Sequence, residues 1–159
     1  MLHINIICVG KLKENYLKDA IDEYKKRLSR FCELNIIELN DEKIPDNSNE
    51  KIDNDIKEKE GKNIISHLGK DAYNIALDLG GKQFDSVEFS KKIEDISFIK
   101  NNINFIIGGS LGLSKEVLDI VNEKVSFSKL TFPHQLMRLF LIEQIYRAFK
   151  IMNNEQYHK

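Results

Sequence analysis

Residues 130–152 read LTFPHQLMRLFLIEQIYRAFKIM, and this stretch decides how the chain can fold. From Gln135 onward, apolar residues occupy almost the whole circumference of a helix, while Glu143 and Arg147 stand one turn apart in its middle. A surface helix has one apolar stripe and one solvated face, so apolar residues on all sides indicate burial from more than one direction. The pattern predicts a final helix that packs on the protein interior along one side and is covered by a second surface along the other.

Upstream of this helix, β-branched runs alternate with helical patterns. Strands are predicted at 3–9, 33–39, 73–79, 103–109 and 125–128, and helices at 15–30, 50–68, 86–96 and 114–122. Asn15, Ser86 and Ser114 are the predicted helix starts, and the third predicted strand, YNIALDL, is expected to end at Gly80-Gly81. This alternation predicts an α/β fold with a mostly parallel sheet and helices on both faces. A chain of 159 residues with 42% hydrophobic content forms one domain, here residues 1–159.

The net charge of −1 says nothing by itself about an acidic partner, but the charges are unevenly distributed. Residues 11–30 hold seven basic and four acidic side chains, and residues 124–159 hold six basic and two acidic ones. If the partner is RNA, its phosphates are expected on these two segments. The alternative is that both are ordinary solvated helix faces.

Cys8 and Cys32 are isolated, without CxxC spacing and without a nearby histidine, so we expect reduced, packed thiols and no metal site. The first residues lack the basic region and cleavage site of a signal peptide, and no run approaches the length of a membrane span. These features predict a soluble, cytoplasmic protein with no membrane partner.

Three predicted strands end in residues suited to ligand binding, namely 77–81 (LDLGG), 107–112 (IGGSLG) and 127–134 (FSKLTFPH). In parallel sheets, ligands bind beyond the carboxyl ends of the strands, and glycines there let the backbone approach a ligand. Neither a phosphate loop nor a GxGxxG fingerprint is present, which favours a cofactor without phosphates. As an alternative, the glycines form ordinary turns without a role in binding. His134 either caps the last helix or contacts the ligand.

Glu143 and Arg147 have the i,i+4 spacing of a simple helix-stabilising ion pair. That interpretation weakens if the helix is buried, because removing both charges from water costs more than such a pair returns. A functional role for the pair is therefore the competing hypothesis.

The segments GKLKE, DEK, KEKEG, FIIGGSLGL, SFSKLTFPHQLMRLFLIEQIYRAFKI and YHK occur in this order along the chain. Together they closely resemble the SPOUT-class methyltransferases that methylate N3 of a pseudouridine in 23S ribosomal RNA of the large subunit. The resemblance covers essentially the whole chain and departs from the family at no motif position. It implies a C-terminal trefoil knot, a homodimer and S-adenosyl-L-methionine as cofactor, with the assembled ribosome as the expected substrate.

The resemblance also implies site residues. The implied cofactor site comprises Leu77, Gly108, Gly109, Gly112, Phe127, Ser128, Lys129, Leu130, Thr131 and Phe132, with His134 nearby. The implied dimer contact is the final helix, through Leu136, Leu139, Phe140, Ile142, Ile145, Tyr146 and Phe149. The partner subunit would then be the second surface that covers this helix.

Four residues are candidates for the chemistry of methyl transfer. A uracil-type N3–H is a weak acid, so a cation that stabilises the deprotonated ring would help, and Arg147 is the candidate. Glu143 would orient Arg147 or, as an alternative, act as the base, and His158 is a candidate proton acceptor. Tyr157 offers an aromatic face for stacking on a base. The competing classes are an unknotted α/β enzyme that binds a nucleotide and a catalytically silent RNA-binding assembly factor.

Overall fold

A computed structural model describes all residues from Met1 to Lys159. The strands are β1 (Leu2–Val9), β2 (Cys32–Leu39), β3 (Tyr73–Gln83), β4 (Asn102–Ile107) and β5 (Glu123–Ser126). The helices are α1 (Asn15–Leu28), α2 (Glu50–Ser66), α3 (Ser86–Ser97), α4 (Lys115–Ile120) and α5 (His134–Met152).

The five strands form one sheet in the order β2-β1-β4-β3-β5, and every neighbouring pair is parallel. Helices α1, α3 and α5 contribute to a core of 20 buried residues on one face of the sheet. On the other face, α2 and α4 cover a smaller core of nine residues. The predicted α/β class, with a parallel sheet and helices on both faces, is confirmed.

Helix α5 is covered from several directions within its own chain. It packs on the sheet and against α1 and α3, and no residue from His134 to Met152 is fully exposed. Ile142 and Ile145 have no exposed surface, and Tyr146 and Phe149 retain less than a tenth. The assignment of these four residues to a dimer contact was therefore wrong, since the interior of one chain accounts for them. Leu136, Leu139 and Phe140 are only half-buried and remain available to a partner.

Strand β3 does not end at Gly80-Gly81 but continues through them to Gln83. A Cβ on Gly81 would lie 2.6 Å from the amide nitrogen of Val125, so a glycine lets β5 approach here. The register with β5 shifts between Leu77 and Lys82, which both pair with Val125. The glycine pair was predicted as the end of the strand because a glycine within a strand and a glycine just after one look alike in sequence.

Two predicted helix caps are displaced by one residue. Asn15 is the first residue of α1 rather than its cap, and the preceding Glu14 makes no side-chain cap bond. Asp85, not Ser86, caps α3 and forms a reciprocal capping box with Glu88. Ser114 caps α4 as predicted, because its hydroxyl accepts a hydrogen bond from the Val117 amide.

Four asparagines form a row across the sheet, one on each of four neighbouring strands. Asn35 donates to Asn5 at 3.3 Å, and Asn5 donates to Asn104 at 2.9 Å. The amide of buried Asn104 donates to Asn74 at 2.9 Å and to the carbonyl of Leu68 at 2.7 Å. These residues are direct partners in the strand registers, so the row holds all four strands in one register.

The trefoil knot and the homodimer stay predictions that come with the family. No helix in the structure combines the length and the apolar character needed to cross a membrane.

Candidate active site

The carboxyl ends of β3, β4 and β5 surround a cavity of about 470 Å³. Its walls come from residues 77–79 within β3, 107–113 at the end of β4 and 125–128 and 130–132 at the end of β5, with His134 and Met137 from α5 and Lys57 from α2. A volume of this size is typical of pockets for small ligands. The cavity lies where the sequence placed the ligand site, beyond the carboxyl ends of a parallel sheet.

All the residues predicted for the cofactor site line this cavity except Lys129, whose side chain is exposed outside it. Their roles in binding stay predictions. Lys57 was not among the predicted site residues, although it is the first residue of the KEKEG segment that contributes to the family resemblance. Asp78 and Met137 were also missed, although Asp78 directly follows the predicted Leu77 along β3.

The loop after β4 turns back on itself within a few residues. The Gly112 amide donates to the Gly109 carbonyl at 3.0 Å, and Gly112 has a φ of +86°, a left-handed conformation that favours glycine. A Cβ on Gly108 would stand 2.8 Å from the Gly112 carbonyl carbon, closer than real contacts allow. No atom lies within 4 Å of the position that a Cβ on Gly112 would take, so the backbone there is bare.

Ser128 and His134 differ in the contacts that they make in the segment leading into α5. The Ser128 hydroxyl accepts a hydrogen bond from the Leu130 amide at 3.0 Å, which closes a local turn. His134 makes no cap bond, so the capping alternative was wrong. Burial and the charge of Arg138 lower the pKa of His134, and the charge of Asp41 only partly offsets them. The imidazole is therefore neutral at pH 7 and lines the cavity.

Arg138, which the sequence did not single out, ties the start of α5 to the ends of β1 and β2. It is 1% exposed and donates to Glu38 at 2.7 Å and to the Gly10 carbonyl at 3.2 Å. Its Nε has no partner. Burial alone would raise the pKa of Glu38, but hydrogen bonds from Arg138 and the Leu12 amide, with nearby positive charge, hold that pKa below its ordinary value. The GKLKE motif, residues 10–14, therefore contributes backbone groups to this contact, namely the Gly10 carbonyl and the Leu12 amide.

Breaking this ion pair should have unequal effects on stability. Glu38→Leu leaves a fully buried guanidinium unpaired, and we expect a loss of about 3 kcal/mol in the free energy of unfolding. Arg138→Met leaves a carboxylate that is 36% exposed and can be hydrated, so about 1 to 2 kcal/mol is expected. Urea unfolding measures both, with Glu38→Gln as the control that keeps an acceptor. Equal losses of stability in the two variants would contradict the explanation by the different burial of Arg138 and Glu38.

The same pair should make stability depend on pH. Because the folded pKa of Glu38 is depressed, its contribution is present above the ordinary carboxyl pKa of about 4 and is lost as pH falls through the lower folded value. Glu38→Gln should flatten this part of the stability profile.

The residues after α5 are anchored rather than frayed. Asn154 has a φ of 54°, and the Glu155 amide donates to the Lys150 carbonyl at 2.9 Å, which closes the helix in a Schellman turn. The Glu155 carboxylate then accepts hydrogen bonds from Arg30, at 2.5 Å, and from Lys150. These bonds lower the pKa of Glu155 to about 2. The turn sends the last residues back along α5.

The returning tail joins the four candidate catalytic residues into one cluster. Arg147 donates to Glu143 at 2.6 Å, and the Tyr157 hydroxyl donates to the same carboxylate oxygen at 3.1 Å. A second Arg147 nitrogen lies 3.2 Å from Nδ1 of His158, and the guanidinium stands 4.9 Å from the centre of the Tyr157 ring. Glu143 is thus occupied as an acceptor, which favours its orienting role over the role of base.

Ionisation in this cluster follows from its packing. Burial, with hydrogen bonds to Tyr24 and Glu143, raises the pKa of Tyr157, so its hydroxyl keeps its proton. The hydrogen bond to Glu143 raises the pKa of Arg147 despite partial burial. Arg147 is a permanent, fixed cation whose position Glu143 and Tyr157 determine.

One chain does not bring the tail cluster into the cavity at the strand ends. Arg147 lies thirteen positions after His134 in α5, a rise of about 20 Å along the helix axis. His158 instead lines a second cleft, which has Val125, Ser126 and Phe127 in common with the cavity. The two candidate sets are therefore each assembled but lie apart within a chain.

A parallel α/β sheet with a bare glycine loop at its carboxyl end defines the class of α/β proteins whose ligands bind beyond the ends of the strands. The chain matches the model of a family described as "Predicted SPOUT methyltransferase" over residues 2–158. The chain belongs to the SPOUT methyltransferase family.

Relatives and a solved structure agree with this assignment. The chain is 62% identical over 99% of its length to the "Ribosomal RNA large subunit methyltransferase H" of Clostridium novyi, all of which is covered. The protein of that name from Clostridium perfringens (strain 13 / Type A) is 59% identical with the same coverage. A solved structure of a probable methylase family protein from Haemophilus influenzae Rd KW20 has a TM-score of 0.55 at 14% identity, over 98% of this chain and 70% of that one. At that identity the likeness concerns the fold alone.

Proposed function

We propose that this protein transfers a methyl group from S-adenosyl-L-methionine to N3 of a pseudouridine in 23S ribosomal RNA. The observation that carries the proposal is the full-length identity to relatives named as methyltransferases of the large-subunit ribosomal RNA. A ribosomal substrate places the reaction in the cytoplasm.

The cavity at the strand ends fits the proposed cofactor. Its loop presents bare backbone at Gly112, and leucines on either side offer apolar contact for an adenine. Lys57 and Asp78 supply one charge of each sign for a zwitterionic amino-acid group. When bound, S-adenosyl-L-methionine supplies an activated methyl group on a sulfonium sulfur.

The protein's own part is to align the base and to manage one proton. As the N3–C bond forms, the N3 proton must leave, and the Arg147 guanidinium stabilises negative charge on the flanking ring carbonyls. Glu143 and the Tyr157 hydroxyl hold that guanidinium in place. His158 is the proposed acceptor of that proton: Arg147 can only donate to its Nδ1, so neutral His158 carries its own proton on Nε2, and Nδ1 takes the N3 proton when it turns from the guanidinium to the base.

The active site is composite under this proposal. Because none of the four tail-cluster residues lines the cavity of its own chain, the tail of one subunit completes the cavity of the other. If the α5 helices of two subunits cross, the tail of one subunit lies beside the cavity of the other. The composite arrangement is the reason for a homodimer.

A dimer should depend on apolar side chains near the start of α5. Leu130 is 70% exposed, and Phe132, which is 37% exposed, packs edge-on against half-buried Phe140 at 5.3 Å. We expect light scattering at micromolar concentration to give twice the mass of one chain, and Phe140→Asp to give monomers. Ile120→Asp, at an exposed position on α4, is the matched control and should leave the dimer intact. A monomeric wild-type protein would contradict the composite site.

The proposed function is tested by methyl transfer from a labelled donor to ribosomes of a strain that lacks this gene. Assembled ribosomes, free large subunits and naked RNA are compared, and mass mapping locates the label. Label on N3 of one pseudouridine, with ribosomes preferred, is expected. Nucleotides that raise the melting temperature while S-adenosyl-L-methionine does not would favour the nucleotide-binding alternative.

A further inference from the structure

A second cleft, of about 420 Å³, opens between the start of α3, the end of β5 and the tail. Phe84, Phe89 and Phe127 form its apolar walls, and Ser86, Gln144 and His158 supply polar groups. The methyl-donor cavity lies on the other side of Val125–Phe127. Of the residues that line this cleft, the mechanism above uses only His158.

The walls of the cleft suit a flat, uncharged ring. Phe127 meets Phe89 edge-on at 5.9 Å, which leaves a rigid aromatic lining, and Phe84 stands half-buried at the entrance. Aromatic side chains are the usual contact surface for unpaired bases of RNA. Apolar walls with a few fixed polar groups are also the general form of a small-ligand site.

The polar groups match a uracil-type ring, which offers both carbonyl acceptors and an N–H donor. The Gln144 amide donates to Glu143 at 3.1 Å and accepts from the Ser86 hydroxyl at 2.8 Å, so its orientation is held. Its second N–H and second oxygen lone pair are left for a ligand. This fixed amide presents a donor and an acceptor side by side, as a pyrimidine edge does.

Charges around the cleft fit a base better than an isolated anion. The Asp85 carboxylate at the edge and Glu143 behind Gln144 disfavour a free phosphate inside. Outside, the Lys82 ammonium lies 5.2 Å from the centre of the Phe84 ring and forms no ion pair. Lys92, at a similar distance, is neutralised by Glu123 at 2.7 Å. A backbone phosphate would therefore meet Lys82 while its base enters the cleft.

We propose that this cleft binds an unpaired uracil-type base of the ribosomal RNA, an inference that rests on the proposed function. The base is either the one that receives the methyl group, presented to the cavity of the other subunit, or a neighbour in the same loop. In both cases the contact is with a nucleobase, and Gln144 reads its edge.

The first test fills the cleft with a larger side chain at an exposed position on its edge. Val87 is 52% exposed in the first turn of α3 and lines the cleft, so Val87→Trp fills it without disturbing the core. We expect a rise of tenfold or more in KM for ribosomes if a neighbouring base binds, or a comparable fall in kcat if the target base binds. The Kd for S-adenosyl-L-methionine should not change in either case. Ile120→Trp, at an exposed site on α4, is the matched control.

Cross-linking gives a readout that does not require turnover. Large-subunit particles that carry 4-thiouridine are irradiated with the wild-type dimer, and both the peptide and the nucleotide are identified. Cross-links within residues 84–89 or 125–127 support the proposal, and the nucleotide distinguishes the target base from a neighbour. Unchanged kinetics of Val87→Trp together with cross-links only elsewhere would overturn it. Failure of the proposed function looks different, because wild-type protein would then methylate no ribosomal RNA at all.

Discussion

Gly108→Val is expected to abolish binding of S-adenosyl-L-methionine while the protein stays folded. A Cβ at this position would stand 2.8 Å from the Gly112 carbonyl carbon and 2.9 Å from its oxygen. Both atoms belong to the backbone and cannot move aside as a flexible side chain would, so the loop must open. We expect the affinity to fall by about 100-fold or more, equivalent to about 2.7 kcal/mol.

Gly109→Ala is the matched control for this prediction. A Cβ on Gly109 would meet only side chains, Val9 at 3.2 Å and Glu60 at 3.5 Å, which can shift. Its effect on affinity should be at least tenfold smaller. Calorimetry measures both affinities, and circular dichroism and the melting temperature check the fold. If folded Gly108→Val binds the cofactor with wild-type affinity, the assigned cavity is wrong.

Deletion of residues 157–159 is expected to lower methyl transfer by orders of magnitude while cofactor binding and dimerisation persist. The deletion removes the Tyr157 hydroxyl that holds Glu143, the aromatic ring beside the Arg147 guanidinium and the proposed proton acceptor His158. Chain ends are ordinarily dispensable, but Glu155 and the turn at Asn154 anchor this one. The measurement is kcat on ribosomes beside the Kd for the cofactor.

The single substitutions separate the parts of this effect. Tyr157→Phe keeps the ring and loses only the hydroxyl, so a smaller loss in kcat is expected than for the deletion. His158→Gln should remove the proposed proton acceptor and lower kcat, whereas Lys159→Gln should act mainly on KM for the RNA. A deletion with wild-type kcat would remove the tail from the mechanism.

Mixed dimers test whether the two halves of the site come from different subunits. Subunits with Gly108→Val and subunits without residues 157–159 should each be inactive alone. In a heterodimer, the truncated chain holds the cofactor and the Gly108→Val chain supplies an intact tail, so one of two sites is whole. Activity restored by mixing is expected. No gain in a mixture proven to contain heterodimers would show that the cavity and the tail act within one chain.

The sequence alone was sufficient for the class of fold and for most of the cavity. Periodic apolar patterns predict strands and helices because each element must bury one face or both, and alternation of the two implies a parallel sheet. Strand ends rich in glycine then mark the binding edge. The motifs around Gly108 and Phe127 identified the family, and the residues they contain do line one cavity, Lys129 excepted.

Only the tertiary structure decided what covers each residue and which distant residues meet. Residues Ile142 and Ile145 of α5 looked available to a partner, yet α1 and α3 of the same chain already enclose them. The strand through Gly80-Gly81 depends on the close approach of β5, which local sequence does not record. Arg138 meets Glu38 from 100 residues away, and the tail meets Glu143 only because Asn154 reverses the chain. Periodicity reports which side of an element is apolar, whereas partners across the fold are set by packing between segments that are far apart in sequence.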